Sequence, residues 1–343
     1  MDPMRHYSIW LEKYGKSRDM ILGNLQGYKK DIDSVRVNIS DKNLISPIAG
    51  NAPDIKARMC FVDGGEGMKE LLGASIYFIR ASALVLDKTG DTVGEKFVRD
   101  LDMGIMEYDD YTKERIEFLR SMLEYDVAER CIEEHSPEYV FMDGSLYVNF
   151  KKRPVDCDEY ILCRKKFTRL LKLAKSKGVH ICGVSEDSRS RLFIQFLANK
   201  YKMKFPHFMT DSSLLRTISR NTKYRTIEFT PNSKFESNGE ANSTLSVSFP
   251  TIYLQPTEVS NPLRIDVPDW EKDFDKIINL VMQLSRGSKQ YGYPMPLYLA
   301  HLDARIEQKH ADWSTTQLIH YLSKNDPELY ETILRERRHA FRP

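Results

Sequence analysis

The chain is poor in cysteine. Five are spread over 343 residues (Cys60, Cys131, Cys157, Cys163 and Cys182), the number is odd, and no pair shows Cys-x-x-Cys spacing. This argues against a disulfide framework or a cysteine-based structural zinc site, and it fits reduced thiols in a cytoplasmic protein. Long apolar runs are lacking too. The most apolar stretch, LGASIYFIRASALVL, carries Arg80 in its middle and is too short to span a bilayer. The N-terminus, MDPMRHYSIW, has an acid at its second position and does not read as a secretory signal. Nor is there an excess of one charge: 51 Lys and Arg against 49 Asp and Glu leave a net +2. No global field draws the chain to nucleic acid, so a DNA partner would have to be gripped by local basic patches.

Several motifs are missing. There is no G-x-x-x-x-G-K-[ST] loop, which excludes a P-loop ATPase, and GGEGMKE lacks the third glycine of a dinucleotide fingerprint. There is no G-x-S-x-G elbow and no H-E-x-x-H pair.

What the chain does have is material for a large core: 41% of its residues are hydrophobic. The pattern predicts a helix over 8–36 and a Pro- and Gly-containing loop over 40–57. Three strands are expected at 58–63, 71–80 and 81–87, buried on both faces because their apolar residues do not alternate with polar ones. From Tyr111 to Glu134 the period changes to three or four, an amphipathic helix that Pro137 ends. Tyr139 to Met142 reads as a fourth strand, 158–177 as a basic helix, GVHICGV as a fifth strand and 186–200 as a further helix. Residues 205–268 are rich in Pro, Ser, Thr and Asn, and predict an antiparallel insertion or side sheet. Helices are expected again at Trp270–Ser285 and from Leu297 to about Lys309. The domains expected are thus a helical arm and linker (1–57), available for a dimer or partner contact, an α/β core (58–204), a β-rich insertion (205–268) and C-terminal helices that complete the site (269–343).

This element order is that of an α/β, ribonuclease H-like fold: a mixed sheet flanked by helices, with an inserted antiparallel segment. In that topology the first and fourth strands run side by side, about 4.8 Å apart. Asp63 in FVDGGEG and Asp143 in FMDGSL would then meet at one rim of the sheet, where ligands of open α/β sheets bind. Asp-Gly is also a common hairpin turn, but two of them after buried strands favour a site. Paired carboxylates repel unless a proton or a cation sits between them. Hard cations prefer oxygen, so Mg²⁺ or Mn²⁺ suits the pair. Two such ions about 3.5–4 Å apart can promote phosphodiester hydrolysis. Gly64, Gly65 and Gly144 would let a phosphate backbone come close.

A metal needs more ligands. Glu124 borders the apolar stripe of the helix over 111–134, and Glu117 is the alternative. His301 in YPMPLYLAHLDARI is a further candidate, although a lone histidine beside an apolar face is more often a satisfied core residue than a ligand. A nitrogen ligand would tilt the site toward Mn²⁺. Basic residues cluster in KKRPVD and along CRKKFTRLLKLAKSKG, where Lys165, Arg169 and their neighbours lie opposite Ile161, Leu170, Leu171 and Ala174, as a solvated face or a DNA track. SEDSRSRLF offers Ser185, Ser188, Arg189 and Arg191 to a phosphate at a helix start. Tyr291, Tyr293 and Tyr298 could stack on bases.

With these residues in hand, the chain resembles the NurA nuclease family from about residue 58 to 307. FVDGG with LLGASIYFIRASAL resembles the first motif of that family, FMDGSL the second, GVSEDSRS the third and YGYPMPLYLAH the last. The resemblance implies a Mn²⁺-dependent nuclease, mostly archaeal, that trims DNA 5′ to 3′ and cuts single strands. It also implies a homodimer docked on the hexameric HerA translocase, working in end resection for recombinational repair. Asp63 and Asp143 match metal-binding aspartates, His301 the histidine after the tyrosine-proline motif and Tyr293 the tyrosine before it; the acidic helix residue carries over to Glu124. The third motif departs from the family pattern, because Glu186 stands where a lysine is common, leaving Arg189 or Arg191 to serve instead. Two rivals remain at this point. One is an actin- or sugar-kinase-like ATPase, which would need a repeated domain the chain lacks; the other is a catalytically silent dimeric adaptor of a DNA motor.

Overall fold

The computed structural model describes residues 3–39, 41–48, 56–89, 92–147, 154–186, 189–219, 222–232, 234–238, 244–272, 274–287 and 290–334. In chain order the elements are α1 (Pro3–Ile39), β1 (Ile45–Pro47), β2 (Arg58–Glu70), β3 (Ala74–Thr89), β4 (Thr92–Glu107), α2 (Thr112–His135), β5 (Tyr139–Asp143), α3 (Asp158–Lys177), β6 (His180–Ser185), α4 (Leu192–Tyr201) and α5 (Asp211–Ser219). They continue with β7 (Tyr224–Thr226), β8 (Phe235–Asn238), β9 (Thr244–Val247), β10 (Thr251–Gln255), β11 (Leu263–Asp266), α6 (Phe274–Leu284), α7 (Met295–Ala304), α8 (Gln308–Asn325), α9 (Pro327–Leu329) and a closing π-turn.

A nine-stranded mixed sheet in the order β1-β7-β10-β11-β6-β5-β2-β3-β4 organises the chain. Strands β2, β5 and β6 run parallel at its centre, and the other pairings are antiparallel. Both faces of the centre are covered, which explains the unbroken apolar runs. Side chains alternate across the sheet. Met59 and Phe61 of β2 therefore pack with Ile277 of α6 and Leu297 of α7, while Cys60 and Val62 pack with Val127 of α2 and Phe167 of α3. Phe61 stacks on Phe141 of β5, centroids 5.1 Å apart.

Four expectations need correction. The strands expected at 71–80 and 81–87 are one strand, β3, and the true third strand is β4. It is the sheet edge, and its Lys96, Arg99, Asp100 and Asp102 hid it from a search for apolar runs, as edge charges do. The span 205–268 is not simply a side sheet. It includes helix α5, and its β7, β10 and β11 join the main sheet; only β8 and β9 pair separately. The loop expected over 40–57 contains edge strand β1, and Ile161, expected on the buried face of α3, is 42% exposed.

Among the described residues, no helix is long and apolar enough to cross a membrane. The β2–β5 seam should be the structural keystone: Phe61→Ala is expected to cost about 3–5 kcal/mol, read as a lower urea midpoint at unchanged slope.

Candidate metal centre

Strand β2 does not end at Asp63. The parallel pairing with β5 stops at Val62↔Met142, yet β2 continues for seven more residues, Gly64 to Glu70, as a hairpin arm against β3. Asp63 is therefore a mid-strand residue at the point where β5 leaves it, and Asp143 is the last residue of β5. The parting of the two strands opens a gap that backbone pairing does not fill. Helix α7 lies over it and delivers His301, whose Nδ1 is 2.7 Å from Asp63 Oδ2. One ligand atom each from Asp63, Asp143 and His301 lies within 4.8 Å of the others. Ligands about 2.0–2.2 Å from one ion sit at most about 4.4 Å apart, so little closure is needed for all three to share a cation.

Glu124 is close but outside that triad. Alternation turns Asp63 and Gly65 toward α7 and Gly64 toward α2, and Glu124 reaches β2 from the α2 side. It fits only because Gly64 has no side chain: a Cβ there would stand 2.2 Å from Glu124 Oε1. A Cβ on Gly65 would stand 2.2 Å from the carbonyl oxygen of Ala304 at the end of α7. These two glycines thus admit parts of the protein itself, rather than the phosphate backbone suggested by the sequence. Gly144 takes φ +88 and turns the chain directly after Asp143. In this arrangement Glu124 pairs with Arg120 one helical turn earlier, at 2.6 Å, and Arg120 also donates to the Gly64 carbonyl at 3.1 Å and faces Glu66 at 3.2 Å. Glu117, the alternative acid, is half-buried at the wall of the adjoining cavity.

The electrostatics are those of crowded, buried acids. Asp63 is 3% exposed, and burial first, then the charges of Asp143 and Glu124, push its carboxyl up to about 9. Burial raises Glu124 to about 7, with Arg120 opposing and Asp143 assisting. Tyr293, 3% exposed just before α7, donates its hydroxyl to Asp143 Oδ1; burial, and next the Asp143 charge, keep the phenol protonated far above its ordinary range. Behind Asp143, Ser145 donates to the fully buried Asp266 at 2.5 Å, which fixes the corner of the Asp-Gly-Ser turn.

A cavity of about 510 Å³ adjoins Asp143 and Glu124, with Phe118, Tyr147, Ser190 and Arg191 in its wall. The residues expected to hold DNA are scattered around it. Ser185 ends β6, half-buried, and Arg189 is exposed, while Ser188 and the Lys151–Arg153 part of KKRPVD lie outside the described residues. Arg191 is committed elsewhere: its guanidinium donates to the carbonyls of Pro206, His207 and Met209 and closes that loop. Arg169 of α3 is bound to Glu129 and Asp126 of α2, so this part of the basic face works as an interhelix seam; Lys165 is exposed. Tyr293 is too deeply buried to stack on a base, whereas Tyr291 is 43% exposed and Tyr298 stacks over His301 with centroids 6.4 Å apart.

Sequence reasoning missed Arg120, although its i,i+4 spacing to Glu124 was a readable signal. It also missed Asp303, two residues after His301. That residue takes Ser82 Oγ at 2.6 Å and both nitrogens of an Arg99 fork at 2.7 and 3.0 Å. No local pattern announces that contact, because β4 itself was not recognised.

The class defined so far is an α/β protein with buried acids gathered around a cation-sized gap in its central sheet. Its family follows from sequence: residues 57–306 match the NurA domain, and the chain belongs to that family. It is 24% identical over 270 residues to the DNA double-strand break repair nuclease NurA of Sulfolobus acidocaldarius, a match covering 73% of this chain and 76% of the relative. The fold is similar to the crystal structure of the NurA nuclease from Sulfolobus solfataricus, with a TM-score of 0.64 at 19% identity over 95% of this chain and 98% of the other. A second crystal structure, of NurA bound to dAMP and manganese, gives a TM-score of 0.56 at 13% identity, covering 92% and 99%.

Two outcomes follow. In EDTA, stability should decline as pH rises from about 4 toward 9, because folding raises the Asp63 pKa, so the unfolded carboxyl ionises first. Asp63→Asn should remove part of that decline and raise the metal-free melting temperature at pH 8, the equivalent of about 1–3 kcal/mol. Gly65→Ala should destabilise by more than about 2 kcal/mol, since only backbone movement of α7 can relieve the clash; thermal melts of both variants provide the check.

Proposed function

We propose that the protein is a divalent-cation-dependent deoxyribonuclease that hydrolyses phosphodiester bonds. The observation that carries this reading is the convergence of Asp63, Asp143 and His301 on one cation-sized gap. The donor set fits the cation: two hard carboxylates and one imidazole, with an Asp63 carboxyl that burial and the charges of Asp143 and Glu124 push above its ordinary range. Asp63, Asp143 and His301 would hold the ion, and Glu124 would complete the set through the Gly64 window. When bound, Mn²⁺ or Mg²⁺ supplies an acidified water and charge neutralisation at the phosphate. The protein's own side chains do the rest. Tyr293 orients Asp143 by donating to one oxygen and leaving the other for the ion. Tyr298 backs the His301 ring, and the exposed Tyr291 offers a stacking surface to a base beside the site.

The finer reading follows the family resemblance. It comprises a ribonuclease H-like core, 5′ to 3′ exonuclease and single-strand endonuclease activity, Mn²⁺ as preferred ion and a cytoplasmic homodimer. It also includes a HerA-type hexameric translocase as partner in end resection. The names of similar proteins, a double-strand break repair nuclease and a NurA bound to dAMP and manganese, support it. So does helix α1, whose Tyr7, Trp10 and Tyr14 are each more than half exposed, as a dimer or partner contact would require.

The test is cleavage of end-labelled single-stranded and duplex DNA with Mn²⁺, with Mg²⁺ and in EDTA. Wild type should cut with Mn²⁺ and stop in EDTA, and Asp63→Asn and Asp143→Asn should each lose at least about 100-fold, a barrier change of roughly 2.7 kcal/mol. Undiminished cleavage by either variant would remove the proposal.

A further inference from the structure

We infer that Asp303 is a positioning residue: it fixes the roll of α7 on the sheet and thereby sets His301 against Asp63. This rests on the reading of Asp63 and His301 as ligands of one cation.

Packing alone leaves the histidine loosely held. Helix α7 has ten residues, about 15 Å of helix, and buries only Pro296, Leu297, Ala300 and Ala304. Leu299 and Leu302 are 41% and 46% exposed, and the His301 side chain is 52% exposed. At about 100° per residue, Leu297, Ala300 and Ala304 form one buried stripe, and His301 and Asp303 fall on its opposite flanks. The flank of His301 turns toward β2 and β5. The flank of Asp303 turns toward β3 and β4, where a single cross-strand row awaits it. In that row Asp63 is opposite Ser82, and Ser82 is opposite Arg99, so all three share the face beneath α7.

Asp303 accepts from three members of that face. Ser82 donates at 2.6 Å, Arg99 forks onto both carboxylate oxygens at 2.7 and 3.0 Å, and Arg80 adds a contact at 3.3 Å. A forked guanidinium–carboxylate pair resists rotation in a way that one apolar contact does not. The contacts close a circuit. Sheet register ties Asp63 to Ser82, a hydrogen bond ties Ser82 to Asp303, half a helical turn ties Asp303 to His301, and His301 returns to Asp63 at 2.7 Å. Gly65 sets how deeply the end of α7 sits, and Asp303 sets which way it is turned.

The test is a double-mutant cycle with two readouts. Asp303→Asn should weaken Mn²⁺ binding by calorimetry about tenfold and lower kcat for DNA cleavage about 10- to 100-fold, the range for groups that orient a ligand, with KM changed less than about twofold. In a His301→Ala background, the same Asp303→Asn change should add less than about twofold. The second readout needs no metal. In protein labelled with ¹⁵N-histidine, the His301 signal, identified by its loss in His301→Ala, should move toward free imidazole in Asp303→Asn. Equal losses in both backgrounds, or an unmoved His301 signal in a folded Asp303→Asn, would overturn the inference. Should Asp303→Asn fail to fold, Ser82→Ala removes one bond only; a loss of about threefold or more that vanishes without His301 supports the circuit, and wild-type binding with an unmoved signal refutes it. If wild type neither binds Mn²⁺ nor cuts DNA, the nuclease reading fails, while the metal-free signal still decides the role of Asp303.

Discussion

Carboxylates held together away from water resist folding, and the architecture is arranged around that cost. Asp63 is almost fully buried, Asp143 lies beside it at the end of the neighbouring strand, and Glu124 presses in from the other side of β2. Asp63 and Glu124 are buried and Asp143 is half-buried because the strands and helix that carry them are core elements, and opposing charge is scarce. Arg120 serves Glu124 and Glu66, while Asp63 has the His301 ring nitrogen as a hydrogen-bond partner. A site in this condition favours protons or a multivalent cation, which is the physical basis for the hydrolytic reading.

The gap exists because of one topological event. Parallel pairing of β2 with β5 ends at Val62, and β2 continues with β3 alone. Where β5 departs, the sheet has an opening bordered by two acids, and α7 crosses it. Residues with no side chain make the crossing possible on both faces: Gly64 toward α2 and Gly65 toward α7. Had both been alanine, the same fold would need the helix acid and the histidine helix to stand away from the strand. The anchoring of α7 by Asp303 on the far flank belongs to the same logic, since a half-exposed histidine cannot be positioned by burial.

The basic side chains illustrate what local reading leaves open. Arg169 read as part of a solvated face or a DNA track, and Arg191 as a phosphate contact at a helix start. In the fold, Arg169 joins α3 to acids of α2, and Arg191 ties a loop by three backbone carbonyls. An arginine's role depends on which acceptors reach it, and those come from distant parts of the chain. Strand β4 escaped notice for a related reason: an edge strand carries charges by design, and its pairing with β3 supplies the regularity that its apolar residues do not show.

The sequence by itself determined the long helices, the central apolar strands and the side-by-side placement of the segments holding Asp63 and Asp143. Hydrophobic periodicity is local and survives without coordinates. It also offered Glu124, with Glu117 as the alternative, at the border of an apolar stripe, and a short motif resembling the family's last offered His301 and Tyr293. Tertiary structure alone decided that Asp63 is mid-strand, that Glu124 lies against β2 in the space Gly64 leaves, and that Ser82, Arg99 and Asp303 meet on one face. Those facts depend on register, on which residues stand opposite each other across strands far apart in sequence. A shift of one residue would turn every one of them to the other side of the sheet.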